Sequence, residues 1–265
     1  MKHGKILLET IGNVIIMTLN DPPVLNAFGQ KLREDMQAAL DGIEASSARC
    51  LVITGAGRAF CSGANLNDPD LASRDRAAEA RGDVKGDLEK WYNPTFLRLR
   101  ALSIPVITAI NGIAAGAGMS LALSGDIRIA ARSASFLQAF ARIGLVPDCG
   151  SSWILPRLIG MARAMELSLL AERLPAETAL QWGMINRLED DGELMPKALD
   201  LANRLAAGPR SLGLIRQMYW QGLDNRYSEQ LDLEARLQSR AAMTQDYEEG
   251  VAAFRDKRPA RFIGE

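Results

Sequence analysis

Three short segments contain the residue types that could take part in catalysis. They are residues 55–66 (GAGRAFCSGANL), residues 111–120 (NGIAAGAGMS) and residues 144–152 (GLVPDCGSS). Small residues allow a ligand to approach the backbone closely, and a backbone N–H that points outward at such a place can stabilise an oxyanion. The first two segments are therefore candidates for backbone donors, and Asp148 in the third is a candidate acid–base group.

Each segment also has a purely structural explanation. The first can be a glycine-rich surface turn, the second can reflect close packing of a helix on a strand, and Asp148 can cap the helix that follows it. Neither glycine segment has the third glycine of a dinucleotide-binding fingerprint, and the chain has no Walker A motif. Cys149 has no histidine partner to activate it, so we expect a small packing residue.

The chain contains a single histidine, His3, near its N-terminal end. A terminal residue is usually solvated, which argues against a catalytic dyad of serine or cysteine with histidine and against a histidine-based metal site. We therefore expect no metal. Any acid–base chemistry must come from carboxylates, lysine or tyrosine.

The composition is that of a globular protein with a large core. Apolar residues make up 48% of the 265 residues and charged residues 24%, which argues against disordered and collagen-like classes. The 31 basic residues balance 32 acidic ones, so we expect no nucleic acid as a partner. No apolar run is long enough to span a bilayer, and three widely spaced cysteines fit a reducing compartment. We expect a cytoplasmic protein with no membrane partner.

The first half of the chain alternates strand-like and helical patterns. Residues 5–19 predict a hairpin that turns at Gly12-Asn13. A four-residue spacing of apolar residues from Leu32 predicts an amphipathic helix that ends near Ala45. Three apolar runs predict buried strands, namely Cys50–Thr54, Val106–Ile110 and Ile127–Ala130. A helical segment joins the last two, which indicates a βαβ unit.

Helical periodicity dominates after about residue 151. One further strand is predicted at Met184–Leu188, and helices are predicted at about 191–206 and 245–256. Another helix has Leu233, Leu237 and Ala241 along one face. Residues 67–90 are rich in Asp, Arg and Ala, which predicts an exposed, mobile excursion. The architecture expected is a mixed α/β core followed by a helical C-terminal part.

Five segments follow one another along the chain: GAGRAFCSGANL, NGIAAGAGMSLALSGD, GLVPDCGSSWILPRLIG, MARAMELSLLAERLPAETALQWGMINRL and EEGVAAFRDKRPARF. In this order they resemble the crotonase, or enoyl-CoA hydratase/isomerase, superfamily across nearly the whole chain. The resemblance implies a mixed α/β fold, with a spiral of ββα turns that forms an acyl-CoA-binding core over residues 1–199. It also implies a helical C-terminal region over residues 200–265, which builds homotrimers that can pair into hexamers.

The resemblance further implies which residues hold an acyl-CoA substrate. The N–H groups of Ala64 and Ala117 match the positions of an oxyanion hole for the thioester oxygen. The other matching positions are Val24, Leu25, Ala27, Ser62, Leu66, Gly116, Phe140, Phe254 and Lys257, of which the last two reach the CoA of a neighbouring subunit. An ordinary amphipathic helix explains that last pair equally well, and Trp91 and Tyr92 can form either an acyl pocket wall or core packing. Coenzyme A is part of the substrate, so no separate cofactor is implied.

Two departures from the family pattern bear on the expected reaction. Hydratases of the family use two glutamates, and the matching positions hold Ser120 and Phe140, which cannot act as carboxylate bases. Asp148 lies where related isomerases carry an aspartate, and the AAGAG and PDCG segments most resemble the branch with ring-1,2-epoxyphenylacetyl-CoA isomerase. The expected function is a shift of a double bond from 3-enoyl-CoA to 2-enoyl-CoA, or a related epoxyphenylacetyl-CoA isomerisation.

Three alternatives remain open. The first is an enoyl-CoA hydratase of fatty-acid or aromatic-acid breakdown. The second is a hydrolase similar to 4-chlorobenzoyl-CoA dehalogenase, although Phe140 takes the place of its tryptophan and the chain offers no histidine for hydrolysis beyond His3. The third is a non-catalytic acyl-CoA binder, which the missing glutamates would permit.

Overall fold

A computed structural model describes residues 2–68 and 84–265 of the chain. Its larger sheet has seven strands in the order β1-β2-β3-β4-β6-β8-β11. The first three strands pair antiparallel, and β3, β4, β6, β8 and β11 are mutually parallel. Their bounds are β1 Lys2–His3, β2 Ile6–Ile11, β3 Val14–Leu19, β4 Cys50–Gly55, β6 Val106–Ile110, β8 Ile127–Ala131 and β11 Arg187–Glu189.

A smaller sheet of four short strands accompanies the larger one, in the order β10-β9-β7-β5. The strands are β5 Ala59–Cys61, β7 Ile113–Ala115, β9 Ser135–Leu137 and β10 Arg173–Pro175. The pairs β5/β7 and β7/β9 are parallel, and β10 joins antiparallel. Successive strands thus alternate between the two sheets, from β4 to β5, from β6 to β7 and from β8 to β9. This alternation is the spiral of ββα turns that the resemblance implies.

Eleven α-helices occupy the described residues. They are α1 Gln30–Glu44, α2 Val84–Asp87, α3 Asn93–Ala101, α4 Ala117–Leu123, α5 Ser151–Ile159, α6 Met161–Leu170, α7 Ala176–Gln181, α8 Leu194–Ala206, α9 Ser211–Gly222, α10 Tyr227–Ala242 and α11 Gln245–Asp256. A π-helical turn, Leu88–Tyr92, joins α2 to α3, and a 3₁₀ helix covers Ala139–Ile143. The boundary expected between residues 199 and 200 falls inside α8, and the division into two regions stays a prediction.

The core lies on both faces of the parallel strands. Every residue of β4 and of β6 is buried, which explains why these strands are continuous apolar runs rather than alternating ones. The amphipathic helix α1 buries Leu32, Met36 and Leu40 almost completely. The hairpin, α1 and the three apolar strands therefore form where the sequence predicts them.

Several predictions of secondary structure need correction. The strand expected at Met184–Leu188 is Arg187–Glu189, because residues 184–186 form a bend that precedes pairing with β8. The sequence does not predict the four strands of the smaller sheet. Each of them has three residues, and periodicity can be recognised only in longer runs.

The excursion expected at residues 67–90 falls in large part outside the described residues. In the described part, Val84–Tyr92 is helical, and Asp68 is buried with a carboxylate that accepts from the N–H of Gln30 at 2.6 Å. The buried Asp68 contradicts the prediction of an exposed excursion, whereas the helical Val84–Tyr92 segment is exposed over much of its length. Within residues 2–68 and 84–265, no helix combines the length and apolar character that crossing a bilayer requires.

Candidate active site

The three segments that could carry out chemistry meet at one edge of the smaller sheet. β5 ends at Cys61 and continues into Ser62–Ala64, β7 ends at Ala115 and continues into Gly116 and Ala117, and β9 leads through the 3₁₀ helix to Asp148. These three strands are parallel neighbours, so their carboxyl ends lie side by side. Ligands in sheets with parallel strands commonly bind at such an edge.

The N–H of Ala64 is directed away from Phe28, with which Ala64 forms an isolated β-bridge. The N–H of Phe28 donates to the carbonyl oxygen of Gly63 at 2.7 Å, and the N–H of Asn65 donates to the carbonyl oxygen of Phe28 at 3.2 Å. The carbonyl of Gly63 and the N–H of Asn65 therefore both point toward Phe28. In extended backbone the N–H of the residue between them, Ala64, points the opposite way. Among the described residues, the N–H of Ala64 has no acceptor.

The N–H of Ala117 is the second donor candidate. Ala117 is the first residue of α4, where N–H groups have no acceptor within the helix, and no other acceptor exists among the described residues. Gly116 precedes it with φ 51° and ψ −128°, a conformation that requires glycine. A Cβ placed on Gly63 would lie 3.6 Å from Ala117 N and 2.7 Å from the carbonyl oxygen of Ala115. The two donor segments are therefore in contact.

The expected CoA-binding segments around Val24 and Ser62 also lie together. The N–H of Ser62 donates to the carbonyl oxygen of Leu25 at 3.0 Å, and its hydroxyl donates to the carbonyl oxygen of Val24 at 3.2 Å. Leu25 and the residue after it both have positive φ, near 55°. Ala27 is buried, whereas Val24 and Leu66 are exposed, Leu66 to 61%. The structure places these positions in one region, and their role toward CoA stays a prediction.

Asn26 organises this region and was not predicted. Its side chain is fully buried, and its Nδ2 donates to the carbonyl oxygens of Ala56, Ala59 and Phe60 at 2.8 to 3.2 Å. Its Oδ1 accepts from the N–H of Asp21 at 2.8 Å. Asn26 thereby ties the loop before α1 to the turn before Ser62. Its position after a Pro-Pro pair was the available signal, since asparagine tolerates positive φ.

Asp148 is free to act as an acid–base group. The helix-capping interpretation is wrong, because α5 begins at Ser151 with Gly150 as its N-cap, and only the main-chain carbonyl of Asp148 accepts from Ser151. The carboxylate is partly buried, and its Oδ1 has no hydrogen-bond partner among the described residues. Burial raises the pKa of Asp148, and a hydrogen bond from the Cys149 thiol opposes the rise. Buried acceptors are usually paired, so this atom is a functional candidate.

Cys149, unlike Asp148, is a poor candidate for a reactive group. Burial is the main cause that raises the pKa of its thiol, and Asp148 raises it further. The thiol is therefore poorly suited to become a thiolate nucleophile. The prediction of a small, buried packing residue is confirmed.

Ser120 and Phe140 border the same region and are both buried. The hydroxyl of Ser120 lies 3.4 Å from the carbonyl oxygen of Gly116 and 3.2 Å from that of Asp148, so it joins the second donor segment to the third. A Cβ on Gly116 would lie 3.9 Å from Cζ of Phe140, which places the ring beside the donor candidate. Neither side chain supplies a carboxylate near Asp148.

Tyr92 contacts Phe28, the residue that pairs with Ala64. Its ring meets that of Phe28 edge to face at 5.6 Å, and the guanidinium of Arg33 lies 5.6 Å from its centroid. Burial raises the pKa of the Tyr92 phenol, Arg33 opposes the rise, and the acidic groups of Cys149 and Asp148 add to it. Tyr92 packs against the hydrophobic core, as one of the two interpretations expects, and its role as a wall of the acyl pocket stays a prediction. Arg33 was not predicted, because a buried guanidinium has no signature in the sequence.

Phe254 and Lys257 lie at the end of α11. Phe254 is 85% exposed, and Lys257 terminates the helix with φ 54°. No hydrogen bond or ring contact in the described part of the chain connects either side chain to the site. Their role toward a neighbouring subunit stays a prediction.

The chain matches the family model described as enoyl-CoA hydratase/isomerase over residues 9–265. It belongs to the enoyl-CoA hydratase/isomerase family. The 1,2-epoxyphenylacetyl-CoA isomerase of Escherichia coli is 46% identical and covers 98% of both chains. A protein of Rhodobacter capsulatus named "probable enoyl-CoA hydratase" is 41% identical over the full length of both chains. An enoyl-CoA hydratase structure from Bacillus anthracis has a TM-score of 0.90 at 30% identity, covering 98% of this chain and 100% of its own.

Membership of the enoyl-CoA hydratase/isomerase family confirms the resemblance and the fold that it implies. The chain is an enzyme of the crotonase superfamily, whose members act on acyl-CoA thioesters, and this argues against the non-catalytic binder. In the part of the chain that the structure describes, no group of three or more His, Cys, Asp or Glu side chains is arranged to hold a metal ion.

Proposed function

We propose that this enzyme is an acyl-CoA isomerase that uses Asp148 to move a proton along an enoyl chain. The observation that carries the proposal is the partly buried carboxylate of Asp148, with an unpartnered Oδ1, beside two backbone donors and without a second carboxylate at Ser120 or Phe140. One carboxylate is sufficient for a proton shift. The similarity to an epoxyphenylacetyl-CoA isomerase supports the same assignment.

The proposed reaction begins with a 3-enoyl-CoA. The thioester oxygen accepts from the N–H groups of Ala64 and Ala117, and Asp148 removes a proton from C2. The electron pair of the broken C–H bond forms a dienolate, and the two N–H groups stabilise the negative charge on oxygen. Asp148 then returns the proton to C4, which leaves the double bond between C2 and C3.

The raised pKa of Asp148 suits this task. A general base works best when its pKa lies near the working pH, and burial moves the carboxyl in that direction. The same carboxyl must give the proton back, and a raised pKa also makes it a better base in the first step. The CoA moiety would lie along Val24, Leu25, Ala27, Ser62 and Leu66, and no further cofactor is required.

Hydration is the second candidate, because the relative from Rhodobacter capsulatus is named as a hydratase. The two reactions are distinguished by offering the enzyme a 3-enoyl-CoA and a 2-enoyl-CoA separately. Isomerisation moves the double bond without change of mass. Hydration adds one water, which mass spectrometry detects. Fast hydration of the 2-enoyl-CoA with little isomerisation of the 3-enoyl-CoA would overturn the isomerase assignment.

We also propose that the enzyme assembles as a homotrimer or as a dimer of trimers. Large apolar side chains are exposed along one face of α6, at Met161, Met165 and Leu169, and again on the C-terminal helices at Leu231 and Phe254. Exposed apolar patches of this kind mark surfaces that become buried in assemblies. Light scattering coupled to size-exclusion chromatography tests the state, and a monomer would refute it. A cytoplasmic location stays a prediction from the sequence.

A further inference from the structure

A cavity of about 340 Å³ adjoins the candidate active site. Ser120 and Cys149 form the part of its wall that belongs to the site, because Ser120 bonds to the carbonyl of Asp148 and Cys149 follows Asp148 in the chain. Most of the remaining wall is apolar or aromatic and is formed by Phe96, Leu123, Trp153, Ile154 and Trp220. The cavity is therefore a largely apolar space that meets the candidate site at Ser120 and Cys149.

A second, larger hollow of about 1100 Å³ lies between α3, α9 and the C-terminal tail. Leu97, Arg100 and Trp220 line both spaces, so these three side chains form a partition between them. Without the partition, the cavity beside Ser120 would open into the larger hollow.

The partition is held in place from several sides. The Trp220 ring stacks on Trp153 with centroids 6.3 Å apart, and its Nε1 donates to Asp126 Oδ1 at 2.7 Å. The Arg100 guanidinium lies 4.6 Å from the Trp153 centroid and 5.3 Å from that of Trp220. It also donates to the carbonyl oxygen of Trp220 at 2.7 Å. Stacking, cation–π contacts and these hydrogen bonds together hold the Trp220 side chain in this position.

We propose that this cavity receives the distal end of the acyl group and that Trp220, Arg100 and Leu97 limit its length. A cavity of about 150 Å³ already holds a benzene ring, so the space beside Ser120 accommodates one ring or a short chain. A long straight chain that runs toward α9 would have to cross the partition. The inference rests on the proposed function in that it requires an acyl-CoA substrate, and it names ring-terminated and short-chain thioesters as the preferred class.

The test compares the wild type with Trp220→Ala and Leu97→Ala on hexenoyl, phenyl-terminated butenoyl and dodecenoyl thioesters of CoA. We expect the wild type to use the dodecenoyl thioester at least about tenfold less well, in kcat/KM, than the other two. Each variant should recover about tenfold on the dodecenoyl thioester and change little on hexenoyl, because the opened partition admits the chain into the larger hollow. Tyr219→Ala, at an exposed neighbouring position of α9, should keep the wild-type profile.

Trp220→Ala removes the hydrogen bond to Asp126 and can lower stability, so thermal unfolding is recorded for each protein. Leu97→Ala opens the partition by a second substitution. Because Leu97 is 65% exposed, its truncation perturbs the fold little. The same comparison is made as Kd of saturated hexanoyl-CoA and dodecanoyl-CoA, which does not depend on the reaction catalysed. Equal use and equal binding of long and short chains by the wild type and folded variants would overturn the inference. Hydration with intact length selectivity would overturn only the isomerase assignment.

Discussion

The backbone of Phe28 pairs with the residues on both sides of Ala64, and this pairing turns the N–H of Ala64 away from Phe28. The donor is therefore oriented by two hydrogen bonds that belong to its neighbours. The contact between Gly63 and the Ala115–Ala117 segment then fixes how close the two proposed oxyanion donors lie. Because both donors are main-chain groups, most side-chain substitutions should leave their positions unchanged. A Cβ added between the Ala64 and Ala117 segments should displace them.

Gly63→Ala should damage catalysis more than stability. The new Cβ would lie 2.7 Å from the carbonyl oxygen of Ala115, and φ at this residue is +97°. The clash pushes the Ala64 segment from the Ala117 segment, so the two N–H groups no longer meet one oxygen. Loss of one oxyanion donor costs about 10²–10³ in kcat, and we expect up to about a hundredfold loss in steady-state kinetics.

The matched control for this substitution is Gly12→Ala. Gly12 also has a positive φ, at +57°, but its Cβ would meet nothing within 4 Å. It should lower the free energy of unfolding by about 1 kcal/mol through backbone strain and leave kcat unchanged. An unchanged kcat in a folded Gly63→Ala protein would argue against the oxyanion role of these segments.

Asn26→Ala should lower both stability and substrate affinity. It leaves three carbonyl oxygens, those of Ala56, Ala59 and Phe60, without the Nδ2 donor. Each unsatisfied buried group costs about 1–3 kcal/mol, so we expect a loss of at least about 2 kcal/mol in denaturant unfolding. KM for acyl-CoA should rise more than kcat falls, because the loop around Leu25 loses its anchor. The control is Asn203→Ala, at an exposed position of α8, which should change neither the free energy of unfolding nor KM. A wild-type KM in Asn26→Ala would contradict the proposed CoA-binding loop.

The sequence predicts the large sheet well and the smaller one poorly, for a physical reason. β4 and β6 are buried on both faces, so continuous apolar composition reveals them. β5, β7 and β9 have three residues each and are stabilised by pairing with one another across more than twenty residues of sequence. No local pattern reports such pairing, although these strands carry the candidate site.

The same limit applies to individual side chains. Glycine-rich composition located the donor segments around Ala64 and Ala117, because glycine reports backbone conformation directly. Glycine composition does not reveal Asn26 or Trp220, since the acceptors of Asn26 Nδ2 and Trp220 Nε1 lie 30 or more residues away in sequence. Asp148 was found as a candidate, and only the start of α5 at Ser151 decided between a helix cap and a free carboxylate.

Asp148→Asn should abolish most turnover while CoA binding is retained. General acid–base groups contribute about 10²–10⁴ to rate, and we expect a loss of kcat within that range. The oxyanion donors are backbone groups that the substitution does not change, so Kd for a saturated acyl-CoA should stay near that of the wild type. Asp200→Asn makes the same charge change at an exposed site on α8 and should leave kcat intact. Turnover retained by Asp148→Asn would remove Asp148 from the mechanism.

The same substitution should stabilise the fold at neutral pH. The pKa of Asp148 is raised in the folded protein by burial, so the protonated form favours folding. That contribution is present below the unfolded pKa and is lost as pH rises through the folded pKa. The neutral Asn avoids the burial of a charge, and we expect Tm to rise at pH 7 and the difference to shrink at acid pH. A lower Tm for Asp148→Asn at pH 7, by calorimetry, would contradict a charge that is costly to bury.

The acid limb of the pH profile should report Asp148 and respond to Cys149. The base must be ionised, so kcat/KM should fall as pH drops through a pKa above the ordinary value of about 3.9. The Cys149 thiol lowers that pKa by its hydrogen bond, so Cys149→Ala should raise it and move the acid limb to higher pH. Cys50→Ala removes a buried thiol of β4, outside the candidate site, and should leave the limb in place. A limb that is unmoved or lies at lower pH in Cys149→Ala would show that another group controls the profile.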